Sequence, residues 1–170
     1  DVREKEISDL TGIEDFTALT ELWCSYNQLT TQDVGSNTAL TDFRCDHNGI
    51  TSLDVSSNTA LTDLNCGTNE LTSLDVSNNT DLTYLVCDDN QLTSLNVTVN
   101  TVLTDFRIGW NPLTGLDLSS NTALTHLEVQ NAQLTTLDVS ANTALTHLDC
   151  QGNQLTSLNV NNNTDLTYLD

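Results

Sequence analysis

The residues best suited to chemistry in this chain are two pairs of a histidine and an acid at the same spacing. His126 and Glu128 are two positions apart, and His147 and Asp149 repeat the pair 21 residues later. Residues i and i+2 of a β-strand share a face, so on neighbouring strands the four side chains would lie within about 5 to 7 Å, which suits a divalent metal. Chance histidines at variable positions are the commoner explanation. The sequence therefore assigns no metal and no cofactor, and these four residues are its only metal candidate.

The same spacing of 21 residues recurs along almost the whole chain. From Leu19 to Asp165 a 21-residue unit recurs seven times, as in LTDLNCGTNELTSLDVSNNTD at 61–81, and LTYLD at 166–170 begins an eighth. Self-similarity at this period indicates a solenoid, in which each unit needs its neighbours to bury its apolar face. We therefore divide the chain into an N-terminal capping segment at 1–18, seven repeats at 19–165 and a truncated repeat at 166–170.

Each repeat has the pattern LxxLxCxxNxL followed by a second half of the form LTSLDVSxNT. The pattern resembles the cysteine-type repeats of internalin J-like leucine-rich-repeat surface proteins of bacteria. The segment ISDLTGIEDFTAL at 7–19 is similar to one that precedes the first repeat in secreted Bacteroidetes proteins. The resemblance implies a secreted or cell-surface bacterial horseshoe that serves in adhesion or ligand binding and has no catalytic site.

Within the repeat, positions 3 to 7 are predicted to form a short strand with positions 4 and 6 facing the core and positions 3, 5 and 7 facing outward. Stacked in parallel, these strands would form the concave β-sheet of a leucine-rich-repeat solenoid. The second half of the repeat has no helical periodicity. We therefore predict an extended or turn-rich convex side with an isolated 3₁₀ turn and little or no α-helix.

Cysteines occupy position 6 in five repeats, as Cys24, Cys45, Cys66, Cys87 and Cys150. Ile108 and Val129 fill the same position elsewhere, which indicates a buried small apolar side chain. Neighbouring strands are close enough for disulfides, but five is an odd number and parallel side chains point the same way, so we expect free thiols. No CxxC pair supplies a tetrahedral zinc site.

The net charge is −20, with 24 acidic residues and four basic ones. Such a chain repels phosphate backbones and anionic lipid, so nucleic-acid binding is excluded, and no apolar run is long enough for membrane insertion. The excess of acidic residues either keeps the chain soluble or binds cations. Because the chain stops inside a repeat, we expect it to be a piece of a longer protein, and we expect a monomer in solution.

A ligand is expected where the repeats differ, since packing fixes the other positions. Every Trp and Tyr falls at one of the variable positions 3, 5 and 8, and exposed aromatics are typical of binding surfaces. Arg44 and Arg107 stand beside acids, either as self-neutralising pairs or as a ligand clamp. The predicted concave-face site comprises Trp23, Tyr26, Asp42, Arg44, Asp63, Tyr84, Asp105, Arg107, Trp110, His126, Glu128, His147 and Asp149.

We predict a non-catalytic recognition or adhesion domain that binds a protein or peptide ligand on the concave face. A glycan-binding domain or a purely structural stalk is the alternative, because aromatic and carboxylate side chains also suit sugars. Regular Thr rows at positions 2 and 12 raise ice binding as a remote alternative. No nucleophile with an oriented base and no phosphate loop is present, so the sequence does not predict an enzyme.

Overall fold

The computed structural model describes residues 1–170, and its main element is an eight-stranded parallel sheet with one strand from each repeat. Its strands follow the order of the chain because each repeat adds to the edge of the one before. They are β1 (Glu21–Trp23), β3 (Asp42–Arg44), β5 (Asp63–Asn65), β6 (Tyr84–Val86), β7 (Asp105–Arg107), β8 (His126–Glu128), β9 (His147–Asp149) and β10 (Tyr168–Leu169). The predicted leucine-rich-repeat solenoid is confirmed.

Two smaller elements lie outside this sheet. The strands β2 (Gln32–Asp33) and β4 (Leu53–Asp54) pair in parallel on the opposite side of the first two repeats. The only helix is a 3₁₀ turn at Ile13–Asp15, in the capping segment. The isolated 3₁₀ turn predicted for the convex side is therefore absent from the repeats, and no helix has the length and apolarity needed to cross a membrane.

The core is a continuous ribbon, because each residue pairs with the residue 21 positions away. In the central repeats Leu64 faces Leu85, and Leu85 faces Phe106, all fully buried at position 4. Positions 1, 6, 11 and 16 add further buried rows to one apolar cluster. A single repeat on its own would expose its apolar side chains on both sides. The neighbouring repeats therefore bury most of this apolar surface, and that burial stabilises the array.

The convex side is built from tight turns. In the second repeat, Asn58 N–H donates to Val55 O at 3.0 Å, and Leu61 N–H donates to Asn58 O at 3.1 Å. Before them, the Asp54 carboxylate accepts a hydrogen bond from Ser56 N–H at 2.9 Å. The same Asx turn recurs at Asp33, Asp75, Asp117 and Asp138. These five acids are therefore turn residues, which accounts for part of the negative charge without a bound cation.

Asparagine at position 9 ties each repeat to the one before it. The Asn69 Nδ2 donates to Cys66 O, Gly67 O and, in the preceding repeat, Cys45 O, each at 3.1 Å. Its Oδ1 accepts the backbone N–H of Ile50 at 3.0 Å. One buried amide thus pairs four backbone groups of two repeats that no strand hydrogen bond reaches.

The sixth repeat has Ala132 at this position, and the backbone compensates for the lost amide. Leu113 N–H, which would donate to an asparagine Oδ1, donates instead to Ala132 O at 3.1 Å. Gln133 adopts a positive φ of 62°, a backbone change that no other repeat shows at this position. The interruption therefore alters the turn locally and leaves the stacking of repeats intact.

A second row of buried asparagines, at position 19, makes a simpler ladder. Asn79 Nδ2 donates to Val55 O at 3.0 Å and to Asn58 O at 2.8 Å, both in the preceding repeat. The Oδ1 atoms of all seven asparagines in this row are buried without a hydrogen-bond partner. An unpaired carbonyl-type oxygen is tolerated better than an unpaired N–H, so the row links the repeats through its donors.

The capping segment covers the first repeat. Its side chains Val2, Ile7, Leu10 and Ile13 pack against the apolar cluster, whereas Phe16 is 61% exposed. The backbone also joins the array, since Val2 N–H donates to Trp23 O at 2.8 Å. We propose that residues 1–18 act as the N-terminal cap of the array.

All five cysteines are free and buried, as predicted. The Cys87 thiol donates to Arg107 O at 3.6 Å, and Cys24 donates to Arg44 O at 3.4 Å. Burial in the apolar row raises the pKa of Cys24 and of Cys66 to about 12. The thiols therefore stay protonated at neutral pH and act as apolar core groups.

Replacing Asn69 by Ala removes one buried amide of the position 9 ladder. We expect the free energy of unfolding to fall by about 2 to 4 kcal/mol, because three buried backbone groups lose their partner, while Gly67 O keeps the N–H of His47. The matched control is Asn78→Ala, since Asn78 is exposed and makes one hydrogen bond to Ser56 O. That change should cost less than about 0.5 kcal/mol. Urea denaturation measures both, and equal midpoints would show that the ladder is not stabilising.

The cysteine ladder predicts a loss of stability at high pH. A thiol whose folded pKa is raised from 9.0 contributes stability that is complete below pH 9 and is lost as pH rises toward the folded pKa. We therefore expect the urea midpoint to fall steeply above pH 9. In the double variant Cys45→Val and Cys66→Val, which copies Val129, the fall should be shallower. Parallel curves for the two proteins would contradict this assignment.

Candidate ligand-binding surface

The exposed face of the eight-stranded sheet carries two columns of side chains, each with one member per repeat. Residues in a column are direct neighbours, because the strands pair in register at a shift of 21. Position 3 contributes Glu21, Asp42, Asp63, Tyr84, Asp105, His126, His147 and Tyr168. Position 5 contributes Trp23, Arg44, Asn65, Val86, Arg107, Glu128, Asp149 and Asp170. The sequence-predicted site residues of these two positions therefore lie on one continuous surface.

At the first strand, Trp23 is covered rather than free. The guanidinium carbon of Arg3 lies 4.9 Å from the Trp23 ring centroid, and that of Arg44 lies 5.1 Å from it. The indole Nε1 is buried without a partner. Two cation–π contacts therefore fix this ring in the packing of the cap, and Trp23 offers a ligand less surface than the sequence suggested.

Both arginines of the sheet are paired with acids of their own strand. Arg44 donates to the Asp42 carboxylate at 2.9 and 3.1 Å, and Arg107 donates to Asp105 at 2.9 and 3.0 Å. Arg107 also lies 3.3 Å from Glu128 on the next strand. The hydrogen bond that Arg107 donates to Asp105 is the main cause that raises the pKa of Arg107. The pairs are thus self-neutralising, the first of the two readings that the sequence left open.

Histidines form a stack on the last strands. The rings of His126 and His147 lie 4.0 Å apart at an interplanar angle of 6°, and Tyr168 continues the stack at 4.1 Å from His147. His126 Nε2 lies 2.8 Å from Glu128 Oε1. Of the four residues singled out for a metal, Asp149 is turned away, since its carboxylate accepts the N–H of Gln151 at 3.1 Å.

Position 7 differs from the prediction in most repeats, because its residue is buried or half-buried in every repeat except the last full one, where Gln151 is exposed. Ser25 is buried and donates to Asp46 at 2.6 Å, one repeat further on. A Cβ added to Gly67 would lie 2.6 Å from the Asp88 carboxylate. The strand ends before position 7, so the alternation of faces ends with it, and the side chain lies between neighbouring repeats. Val86 at position 5 is also buried, against the prediction.

Position 8 instead presents its side chain outward, from a left-handed backbone. The φ angles of its residues lie between 48° and 67° in all seven repeats. Hydrogen bonds to the following repeat hold this conformation, as when Trp110 N–H donates to Gln130 O at 2.8 Å. The residues in this row, called here the left-handed row, are Tyr26, His47, Thr68, Asp89, Trp110, Asn131 and Gly152.

The left-handed row holds the most exposed aromatic residues of the repeats. Trp110 is 56% exposed and lines a shallow hollow with Asp88 and Asp89, while Tyr26 is 52% exposed and stacks on His47 at 4.0 Å. The predicted site included Trp110 and Tyr26 but not their neighbours His47, Asp88 and Asp89. These three stand at the variable positions 7 and 8, which the sequence shows, but the left-handed backbone of His47 and Asp89 is visible only in the structure.

A hollow on this surface is lined by Asp88, Asp89 and Trp110, of which Trp110 alone is hydrophobic, and it is shallow and open. Small-molecule sites are concave and mostly apolar, so the surface suits an extended ligand better than an enclosed one.

The Thr row at position 2 has a structural role. The Thr62 hydroxyl donates to Thr41 O at 3.1 Å, and Thr104 donates to Thr83 O at 3.0 Å. Each hydroxyl thus uses its hydrogen to bind the preceding repeat. The scaffold therefore explains the regular Thr spacing at position 2, whereas in the position 12 row only Thr114 makes such a bond, to Thr93 O.

Thr68 provides a test of strain in the left-handed row, because a β-branched residue is the least suited to its φ of 48°. We expect Thr68→Asn, which copies Asn131, to raise the free energy of unfolding by about 0.5 to 1 kcal/mol. Thr72→Asn makes the same chemical change at an exposed position without a positive φ, and should have little effect. Thermal unfolding compares the two, and a destabilised Thr68 variant would show that the row is unstrained.

Comparisons with known proteins agree with this architecture. No protein-family model matches the chain. Internalin J of Listeria monocytogenes serotype 4b (strain F2365) is 49% identical over 37 residues, which is 22% of this chain and 4% of that protein. The solved InlF of Listeria monocytogenes strain 4b F2365 superposes with a TM-score of 0.91 at 28% identity, over 96% of this chain and 51% of that one.

The solved functional domain of InlJ from Listeria monocytogenes, which includes a cysteine ladder, is also similar to this chain. It superposes with a TM-score of 0.97 at 47% identity over 99% of this chain. The match spans 38% of the InlJ chain, so this chain corresponds to part of that domain. From the repeat pattern, the buried row of free cysteines and this similarity, the chain is an internalin-like leucine-rich-repeat domain with a cysteine ladder.

Proposed function

We propose that this chain is a non-catalytic recognition domain of a secreted or cell-surface bacterial protein. It binds a protein or peptide ligand on the concave sheet and the adjoining left-handed row. The similarity to internalins supports an interaction domain of this kind.

The left-handed row is the observation that carries the proposal. Glycine adopts a positive φ without strain, and the last full repeat has Gly152 there. The other six repeats carry larger side chains at a cost of about 1 to 2 kcal/mol for most of them. Large residues such as Tyr26 and Trp110 contribute little to the core from this position, because more than half of each is exposed. Strain of this kind, held in place by the neighbouring repeats, is typical of functional positions.

The charge of the surface indicates the chemistry of the ligand. Asp42, Asp105 and Glu128 are neutralised by arginines, but Glu21, Asp88 and Asp89 have no basic partner. With a net charge of −20, the domain attracts basic segments and repels acidic ones. The ligand is therefore a protein segment with lysine or arginine side chains that reach these acids and apolar groups that pack on Trp110.

A glycan is the second candidate, favoured by one feature. Trp110 stands beside two carboxylates at a shallow hollow. A sugar ring can stack on an exposed indole while its hydroxyls donate to neighbouring acids. In that case binding would depend on Asp88 and Asp89 through hydrogen bonds and would change little with salt.

Replacing Trp110 by Ala tests the proposal. The purified chain is screened against host and bacterial surface-protein extracts and against a glycan array. We expect a protein ligand whose affinity falls at least tenfold in the variant, because an exposed aromatic anchor is lost. Binding should also weaken as salt rises, since the ligand is basic.

The matched control is Val102→Ala, which removes a similarly exposed apolar side chain outside the sheet face. It should bind as the unaltered chain does. Hits on the glycan array alone would favour the second candidate. A protein ligand that binds Trp110→Ala unchanged would place the interface elsewhere, and no hit on either panel would favour a structural stalk.

A further inference from the structure

The histidine stack at β8 and β9 brings together ligand atoms of a kind that structural packing does not require. His126, Glu128 and His147 each offer one such atom, and the three atoms lie within 4.8 Å of one another. No other group of three histidine, cysteine or acidic side chains in the chain converges in this way. We propose that these three residues form a binding site for one first-row divalent metal ion of the zinc class.

The donor set selects the class of metal. Two imidazole nitrogens and one carboxylate oxygen are ligands that Zn²⁺ and its neighbours prefer, whereas Ca²⁺ and Mg²⁺ take oxygen ligands only. Three protein ligands leave at least one coordination position open. That position faces the outer side of the sheet, because all three side chains project from it.

The atoms need only a small movement to reach coordination geometry. In a tetrahedral site with bonds of about 2.0 to 2.1 Å, ligand atoms are about 3.3 Å apart. Two ligand atoms that lie 4.8 Å apart must therefore approach each other by about 1.5 Å. Side-chain rotation can supply this, since the side chains of His126 and Glu128 are 25% and 23% exposed. The two rings are parallel, at 6°, so they must tilt toward each other for both nitrogens to meet one ion.

The charged groups around the stack are mostly acidic, which favours a bound cation. The groups that face the stack are Arg107 and Asp105 on β7, Glu128 on β8, Asp149 on β9, and Tyr168 and Asp170 at the end of the sheet. Arg107 is the only cation among them, and Asp105 neutralises it with two hydrogen bonds.

A purely structural explanation competes with this proposal. Identical rings on neighbouring strands stack without a metal, and His126 already pairs with Glu128 at 2.8 Å. The two explanations differ in one measurable respect, namely whether both histidines bind the same ion. The proposal does not rest on the proposed function, because metal binding can be measured without any protein ligand.

Titration of the whole 170-residue chain with Zn²⁺ tests the site, by isothermal titration calorimetry at pH 7.5 and by NMR of the histidine rings. We expect one Zn²⁺ per chain and simultaneous shifts of the His126 and His147 ring signals. His126→Ala, His147→Ala and Glu128→Gln should each lower the affinity by about tenfold or more. The control His47→Ala removes the third histidine, which faces only Asp46 and Tyr26, and should leave the affinity unchanged.

The following results would contradict the proposal. Absence of Zn²⁺ binding would overturn the proposal, and so would binding that survives in all three variants, because scattered carboxylates would then hold the ion. Circular dichroism shows whether the alanine variants are folded. Glu128→Gln keeps the shape of the side chain and tests the site even if an alanine variant unfolds. Binding that weakens equally in His47→Ala would also contradict the assignment.

Discussion

The buried amide at position 9 is the interaction on which the rest of the array depends. Asn69 pairs with the two carbonyls that precede the turn residue Thr68, those of Cys66 and Gly67, and with Cys45 O in the repeat before it. Because the amide is buried, losing it leaves several backbone groups unpaired, which costs more than one exposed hydrogen bond contributes. In the six repeats that carry it, the same amide therefore supports both the stacking of repeats and the left-handed turn that follows the strand. The sixth repeat, with Ala132, keeps both features through backbone hydrogen bonds. Stability and the presentation of the variable side chains have a common cause.

The constant period of 21 residues determines which side chains are in contact across the sheet. Residues 21 apart become direct neighbours, so opposite charges on adjacent strands pair, as Arg107 and Glu128 do, and like rings stack, as His126 and His147 do. A substitution at one outward position thus changes the environment of its neighbours in both directions. The outer face of the sheet is accordingly one continuous surface. Its two ends differ, with the histidine stack at one end and Trp23 covered by Arg3 and Arg44 at the capped end.

The exposed aromatic residues of the proposed recognition surface and the proposed metal ligands lie in different rows of this surface. The exposed aromatics Tyr26 and Trp110 lie in the left-handed row, whereas the three metal-binding candidates lie on the strands. The two proposals can therefore fail or succeed separately. If both hold, the open coordination position faces the same side as the sheet to which the ligand binds. A carboxylate or imidazole of the ligand could then complete the coordination of the ion.

Much of this architecture was predictable from the sequence. The repeat pattern places Leu64, Cys66 and Asn69 in the core, because the constant positions of a solenoid are those that pack between neighbouring repeats. The exchange of cysteine for Val129 indicated an apolar position, and the odd number of cysteines with parallel side chains indicated free thiols. These inferences succeed because packing between similar neighbouring repeats restricts the size and polarity of the side chain at each constant position.

The tertiary structure alone decided the rest. Whether Arg107 is paired or free, and whether Asp149 joins the histidines or turns to Gln151, depends on distances of a few ångströms between side chains of different repeats. The strands also end at position 5, two residues earlier than predicted, so that position 7 is mostly buried and position 8 is mostly exposed. The sequence determined which residues are constant and therefore the core. The backbone conformation at the end of each strand decided which variable residues a ligand can reach, because a left-handed turn breaks the alternation on which the sequence argument relied.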